Sequence, residues 1–179
     1  MQIQAEKMNT VNVRKMTKND IKQIMDIESV SFGDFHWKPE AFAAEIENNI
    51  GHYFVAEDEK RHLIAYGGFW LIVDEAHITT IAVHPLYRKQ GLGEKILQKM
   101  IETGYEKGVK WFTLEVRASN IAAQNLYYKY NFKSLGLRRK YYQDNDEDAM
   151  IMWTESIWSE SFKKRFEELK TKLEEKLKV

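Results

Sequence analysis

The sequence predicts an α/β or α+β domain, a mixed sheet of about six to seven strands covered by helices. Three observations carry that expectation. Runs rich in β-branched and aromatic residues recur along the chain between segments whose apolar residues follow helical spacing. Three strand-like runs, His52–Glu57, Leu63–Val73 and Glu75–Val83, follow one another with only turns between them, as in a mixed sheet. The 179 residues, 44% apolar and 13% aromatic, suffice for one continuous core in one domain of ordinary size. No internal repeat is visible.

The elements can be justified in order. Val11–Arg14 reads as a short strand. Thr17 and Asp20 have capping-box spacing, with Asp in place of the usual Glu. Ile21, Ile24, Met25 and Ile27 then recur as in a helix that ends near Ser31–Gly33. A second helix starts at Pro39, a favoured first-turn residue, and ends near Asn48–Asn49. Asp58–His62 is a turn between the first two of the three consecutive strands. Gly67-Gly68 inside the long strand suggests a bulge or bend. Pro85 closes the third strand, and Arg88–Gly93 is a basic, glycine-containing loop. Glu94–Lys107 is amphipathic, with Ile96, Leu97, Met100, Ile101 and Tyr105 on one side and Gly108 as its stop. Lys110–Val116 is a strand, Asn120–Tyr130 a short helix capped by Asn120, and Phe132–Arg139 and Asp148–Trp153 the last two strands.

The tail differs in character. Trp158, Phe162, Phe166, Leu169, Leu173 and Leu177 are spaced four, four, three, four and four apart in a charged background, which makes a helix with one apolar stripe. Docking of that stripe on the domain's own surface is expected, and a dimer or partner contact is the alternative. The division expected is a flexible N-terminus over 1–10, a globular domain over 11–154 and a helical extension over 155–179.

Composition excludes several functions. Lys+Arg and Asp+Glu are both 27, and a zero balance argues against a general nucleic-acid binder. Three adjacent cations, Arg138-Arg139-Lys140, are weak evidence to the contrary. The absence of cysteine removes disulfides, thiolate catalysis and cysteine-ligated zinc, and fits a reducing cytoplasm. No run approaches the roughly 18 apolar residues of a membrane span, and no signal-peptide core is present. The histidines lack metal-ligand spacing, so no metal is expected. A cytoplasmic protein without membrane or direct nucleic-acid contact, a monomer or weak dimer, is the expectation.

The most informative segment runs from Ile81 to Glu94. A strand ends in Ile81-Ala82-Val83, a loop with two cations and two glycines follows, and a helix begins. A helix N-terminus presents unpaired N–H groups and partial positive charge, and so receives anions. The glycines permit close backbone approach, and Arg88 and Lys89 add full charges. The chemistry implied is pyrophosphate binding. The dinucleotide and nucleotidase glycine patterns are both absent.

Arg88-x-x-Gly91-x-Gly93, between a strand ending Ile-Ala-Val and an amphipathic helix, resembles the acetyl-CoA signature of the GNAT acetyltransferases. The resemblance spans roughly Val11 to Trp153. It extends to the RimI-like branch, the ribosomal-protein-alanine N-acetyltransferases, through Asp74-Glu75-Ala76-His77-Ile78, Leu114-Glu115-Val116-Arg117-Ala118-Ser119-Asn120, Asn131-Phe132, Arg139-Lys140-Tyr141-Tyr142 and Glu147-Asp148-Ala149. The resemblance implies the GNAT fold, with acetyl-CoA as cosubstrate and a protein N-terminus as acceptor, most of all the N-terminal alanine of a small-subunit ribosomal protein. It implies that the loop of Arg88, Lys89, Gln90, Gly91, Leu92, Gly93 and Glu94 holds the pyrophosphate, while Ile81, Ala82 and Val83 pair with the pantetheine arm.

Transfer to an amine also makes its own demands. An α-amine with a pKa of about 7.7–8.0 is largely protonated at neutral pH and needs a base, and a thiolate with a pKa of about 8.5 needs a proton as it departs. Glu115, flanked by Leu114 and Val116 near a strand end, would be partly desolvated, which raises a carboxyl pKa. Asn120, Ala123, Gln124 and Tyr127 share one face of the following helix. The resemblance implies that Glu115 is the general base, acting through water, that Tyr127 is the general acid, and that Asn120 and Tyr127 bind the coenzyme. With no Ser/His/Asp nucleophile in view, direct attack by the amine is expected. On the acceptor side Phe35, Trp37, Tyr141 and Tyr142 are candidates to clamp the first residues of a peptide, the family using such loops for that purpose. Core packing is the competing explanation for each. Competing functions are a broader N-α, small-amine or lysine acetyltransferase, and a module that binds acetyl-CoA without turnover.

Overall fold

The structure is a computed structural model that describes residues 11–33 and 36–177. Seven strands form one sheet: β1 (Asn12–Lys15), β2 (Gly51–Glu57), β3 (Leu63–Ile72), β4 (Glu75–Val83), β5 (Trp111–Arg117), β6 (Lys133–Tyr142) and β7 (Glu147–Trp153). Their spatial order is β1-β2-β3-β4-β5-β7-β6. Neighbours are antiparallel except β4 and β5, which are parallel. The crossover between those two carries helix α3 (Leu92–Lys107), as a parallel pair requires a long connection.

Helices cover both faces. Ile24 and Ile27 of α1 (Ile21–Phe32) and Phe42 of α2 (Pro39–Glu47) join Met16, Tyr53, Val55 and Tyr66 in one buried cluster. On the other face Ile96, Leu97, Met100 and Ile101 of α3 pack with Ile64, Phe69, Phe112 and Phe132. Tyr127 of α4 (Ile121–Lys129) and Phe162, Phe166 and Leu169 of α5 (Glu160–Leu177) belong to that same cluster. The tail stripe therefore docks on the chain's own surface, as expected. Leu173 is also buried, whereas Trp158, before the helix, stays 45% exposed with its indole N–H on the Val109 carbonyl at 2.7 Å.

Several local features follow from the sequence. The Asp20 carboxylate accepts the Thr17 amide at 2.7 Å and its hydroxyl at 2.9 Å, so Asp does serve the box, here through a 3-10 turn at Lys18–Asp20 that leads into α1. The register of β3 on β4 shifts between Gly68 and Phe69. Gly68 is there because the Tyr53 ring lies against it: a Cβ would sit 2.2 Å from the ring. Helix α3 begins two residues earlier than expected, at Leu92, whose side chain is 1% exposed and belongs to the core. Strand β6 runs to Tyr142, not Arg139, so Tyr141 and Tyr142 lie at a strand end instead of in a loop. A positive φ of 51° at Lys140 and a register irregularity between Arg138 and Tyr142 accompany this extension.

Candidate active site

Strands β4 and β5 pair over only three residue pairs, Glu75–Trp111, Ala76–Phe112 and His77–Thr113. Beyond them both strands continue but separate. A cavity of about 670 Å³ opens there, with Ile78–Ile81 on one wall and Leu114–Arg117 on the other. The opening faces the C-terminal end of the parallel pair, where α/β sheets commonly receive ligands.

Glu115 and Tyr127 both line this cavity, with Asn120 and Ala123 from the same face of α4. The Asn120 side chain caps α4 by accepting the Ala123 amide at 3.1 Å. Gln124 donates to the carbonyls of Arg117 at 3.0 Å and Ala118 at 2.9 Å, which ties the first turn of α4 to the end of β5. These bonds fix Tyr127 relative to Glu115. The Tyr127 side chain is 7% exposed and packs on Phe132 with ring centroids 5.4 Å apart. Burial, and then the nearby Tyr142, pushes its phenol well above the ordinary value, so it holds its proton throughout the neutral range.

Glu115 has a different setting from the one its neighbours suggest. Alternate residues of a strand face opposite sides, so the side chains of Leu114 and Val116, both buried, point away from that of Glu115 even though all three residues border the cavity. Instead the carboxylate is 27% exposed and lies 3.3 Å from the Arg138 guanidinium.

The acceptor-side candidates divide. Trp37 and Tyr142 line the cavity. Trp37 also packs on Phe42 at 5.3 Å, so it serves core and cavity wall together. Tyr142 lies under the Arg117 guanidinium at 3.9 Å, and burial pushes its phenol up to about 12. Tyr141 is outside the lining, 43% exposed, with its ring 5.2 Å from that of Tyr142. Phe35 lies outside the described residues.

Arg88–Gly93 is likewise outside the cavity lining and sits past the end of β4. Lys89 and Gly91 adopt positive φ of 64° and 93°. Gly91 is the N-cap of α3, and its carbonyl accepts the Lys95 amide at 2.9 Å. The contacts of Gly93 place it beside β4 and α4: a Cβ there would stand 3.5 Å from Val83, 3.8 Å from Ile81 and 3.8 Å from Leu126. The side chains of the segment are largely committed elsewhere. Leu92 is core, Arg88 donates to the Val83 carbonyl at 3.1 Å, and the Glu94 carboxylate accepts Lys129 at 2.6 Å and the Tyr130 hydroxyl at 2.8 Å. Ala82 is 5% exposed. What the segment offers a ligand is main chain at a helix start, suited to an anion.

Residues not singled out from the sequence complete the cavity. Glu28 is 2% exposed and accepts the Trp37 amide at 2.8 Å. Burial pushes its carboxyl up, against the pull of that hydrogen bond. Ser31, one turn on, has a buried hydroxyl without a partner and also lines the cavity. The available signal was a carboxylate on the apolar stripe of α1, next to Ile27 and four residues after Ile24. Asp144 and Glu147 form the far rim, held by Arg117 at 2.7 and 3.1 Å. The Glu147 carboxyl is held down at about 2, first by hydrogen bonds from Ser119 and then by Arg117 and Asn145.

A parted parallel pair, a glycine-bearing turn at the next helix, and a carboxylate and a buried phenol on the walls of one cavity make an arrangement that can serve acyl transfer. The sequence profile of the Acetyltransferase (GNAT) family matches residues 21–132, and the chain belongs to that family. Its fold is the GNAT fold, a mixed seven-stranded sheet flanked by helices, with α5 added. A protein of Bacillus subtilis (strain 168), provisionally named a ribosomal protein bS18-alanine N-acetyltransferase, is 44% identical over 142 residues, 79% of this chain and 93% of the relative. The Escherichia coli (strain K12) ribosomal protein bS18-alanine N-acetyltransferase is 35% identical over 147 residues, 81% of this chain and 96% of that one. The crystal structure of the ribosomal-protein-S18-alanine N-acetyltransferase from Escherichia coli superposes with a TM-score of 0.75 at 32% identity, covering 84% of this chain and 97% of that one.

Proposed function

We propose that this acetyltransferase moves the acetyl group of acetyl-CoA to the α-amine of a protein N-terminus, the acceptor being the N-terminal alanine of a small-subunit ribosomal protein. The observation that carries the reading is the cavity between the parted ends of β4 and β5, with Glu115 and Tyr127 on its walls. The names of the relatives supply the acceptor. A ribosomal acceptor puts the reaction in the cytoplasm, and no described helix is long and apolar enough to cross a membrane.

Each group then has a role. The amides of Arg88–Gly93 face the pyrophosphate, with Arg88 and Lys89 adding charge, and the free edge of Ile81, Ala82 and Val83 pairs with the amides of the pantetheine arm. Asn120 lies along that arm. Acetyl-CoA supplies the activated acyl thioester. Glu115 takes the proton of the attacking α-amine through water. Tyr127, kept protonated by burial, donates a hydrogen bond to the sulfur as negative charge grows there. Trp37, Tyr142 and the adjoining Tyr141 hold the first residues of the peptide, and Phe35, two positions before Trp37 in the sequence, is a further candidate. Glu28, Glu115, Asp144 and Glu147 outnumber Arg117 among the ionisable lining residues, which suits an ammonium-bearing acceptor. The catalytic unit is the segment 11–154, and 155–179 is an extension of it.

The test is a panel of N-terminal peptides assayed with acetyl-CoA and read by mass spectrometry. The ribosomal alanine peptide should be preferred over lysine-only and small-amine acceptors; equal rates across the panel would replace it with the broader reading. Glu115→Gln should lower kcat by about 10²–10⁴-fold with coenzyme affinity unchanged. Wild-type turnover in that variant would remove Glu115 as the base.

A further inference from the structure

Helix α5 lies beyond the residues matched by the family profile, which end at 132. Its contacts lead from the C-terminal end of α3 to its N-terminal turn. Phe166 packs on Tyr105 at 5.9 Å and on Tyr130 at 6.5 Å. Arg165 donates to the Lys129 carbonyl at the end of α4, at 3.2 Å. Lys170 pairs with Glu102 at 2.8 Å. Leu173 then reaches the turn that opens α3: its Cδ1 stands 2.7 Å from where a Cβ on Gly91 would be. Leu173 is 3% exposed, yet it belongs to neither core cluster, unlike Phe162, Phe166 and Leu169 on the same stripe. Its burial thus includes close contact with the loop, at Gly91.

Gly91 is thus a glycine for two reasons. Its φ of 93° is a conformation that a side chain disfavours, and Leu173 occupies the space a Cβ needs. A turn that must present consecutive N–H groups to a diphosphate works best when held in place before the ligand arrives, because ordering it on binding subtracts from affinity.

We propose that α5 is a strut for the coenzyme loop and that Leu173 is a positioning residue, seated against Gly91 so that the first turn of α3 is preorganised for acetyl-CoA. This rests on the coenzyme reading of Arg88–Gly93 given above. Leu173 touches no reacting atom. Its loss should therefore act on coenzyme affinity and leave the chemical step alone.

The experiment measures the dissociation constant of CoA by calorimetry, and kcat and KM for acetyl-CoA, in the full chain and in Leu173→Ala, Leu173→Val, Leu173→Met and Leu169→Ala. Leu173→Ala should weaken CoA at least fivefold and raise KM for acetyl-CoA in parallel, with kcat at saturation within twofold of wild type. Leu173→Val, the milder truncation, should fall between, and keeps the test open if the alanine variant does not fold. Leu173→Met, which refills the space, should restore affinity. Leu169→Ala, four residues back in the core cluster, should lower the melting temperature with CoA affinity within twofold. The strut is overturned if both Leu173 truncations bind CoA like wild type, or if Leu169→Ala weakens CoA equally. A wild-type protein with no measurable affinity for CoA would instead overturn the coenzyme reading, and the strut with it.

Discussion

At the scale of single residues, the phenol of Tyr127 makes the sharpest prediction. Its burial keeps it protonated, so in the proposed reaction its part is to donate a hydrogen bond where charge develops. Tyr127→Phe should keep the ring contact with Phe132 and hence the melting temperature, while kcat falls about 10²-fold. Steady-state kinetics with a donor of more acidic thiol should show a smaller loss, since such a sulfur needs less help to depart. The candidate pair was singled out through the resemblance of its segments to a known family, and the strand and helix that carry it bring both residues to one cavity. The surroundings of Glu115 were not legible. Arg138 approaches it from a strand 23 positions on, and no local pattern announces a cross-sheet ion pair. Glu28 escaped for a similar reason: its role depends on α1 being laid over the parted strands.

At the scale of elements, most boundaries followed from caps, glycines and periodicity, and the departures have physical causes. The end of β6 was set by pairing with β7, which no propensity of Arg138-Arg139-Lys140 signals. The start of α3 was masked because Leu92 reads as loop between two glycines but packs as core. The register shift in β3 was signalled by Gly67-Gly68 and lies beside the Tyr53 ring, whose hydroxyl meets Thr79 at 2.9 Å on the cavity wall. Gly68→Ala should drive that ring aside and destabilise the protein by about 1–3 kcal/mol. Thermal unfolding should then show a drop of several degrees, and an unshifted transition would mean that the strand yields without cost.

At the scale of the whole molecule, the edge strand β1 is locked to the rest through Arg14. Its guanidinium bridges Asp20 at 2.8 Å and Glu57 at 3.0 Å, and both carboxylates have side chains only 7% exposed. Burial works to raise Asp20, but Arg14 and Thr17 outweigh it and the net shift is downward. Glu57 is held down first by Asn12, and by Arg14 against its own burial. Both folded values thus lie below the unfolded ones of about 3.9 and 4.3. Their stabilisation is complete above those unfolded values and is lost as the pH falls through the depressed folded ones. Arg14→Met should cost about 2 kcal/mol at neutral pH, less than a fully buried pair because Arg14 is itself 36% exposed. Denaturant titrations should show that gap narrowing as the pH drops below about 4; a gap independent of pH would assign the loss to packing.

The three-rung join of β4 to β5 has a consequence for cohesion. Main-chain bonding rivets every other neighbouring pair of strands over four residues or more, but here two blocks of sheet, β1–β4 and β5–β7, meet along a short seam that opens into the cavity. On the proposed binding mode, a strand of amides laid along the free edge of β4 would supply that edge with rungs it lacks here. If the arm binds in that way, coenzyme should raise the protection of the β4 and β5 amides from hydrogen exchange.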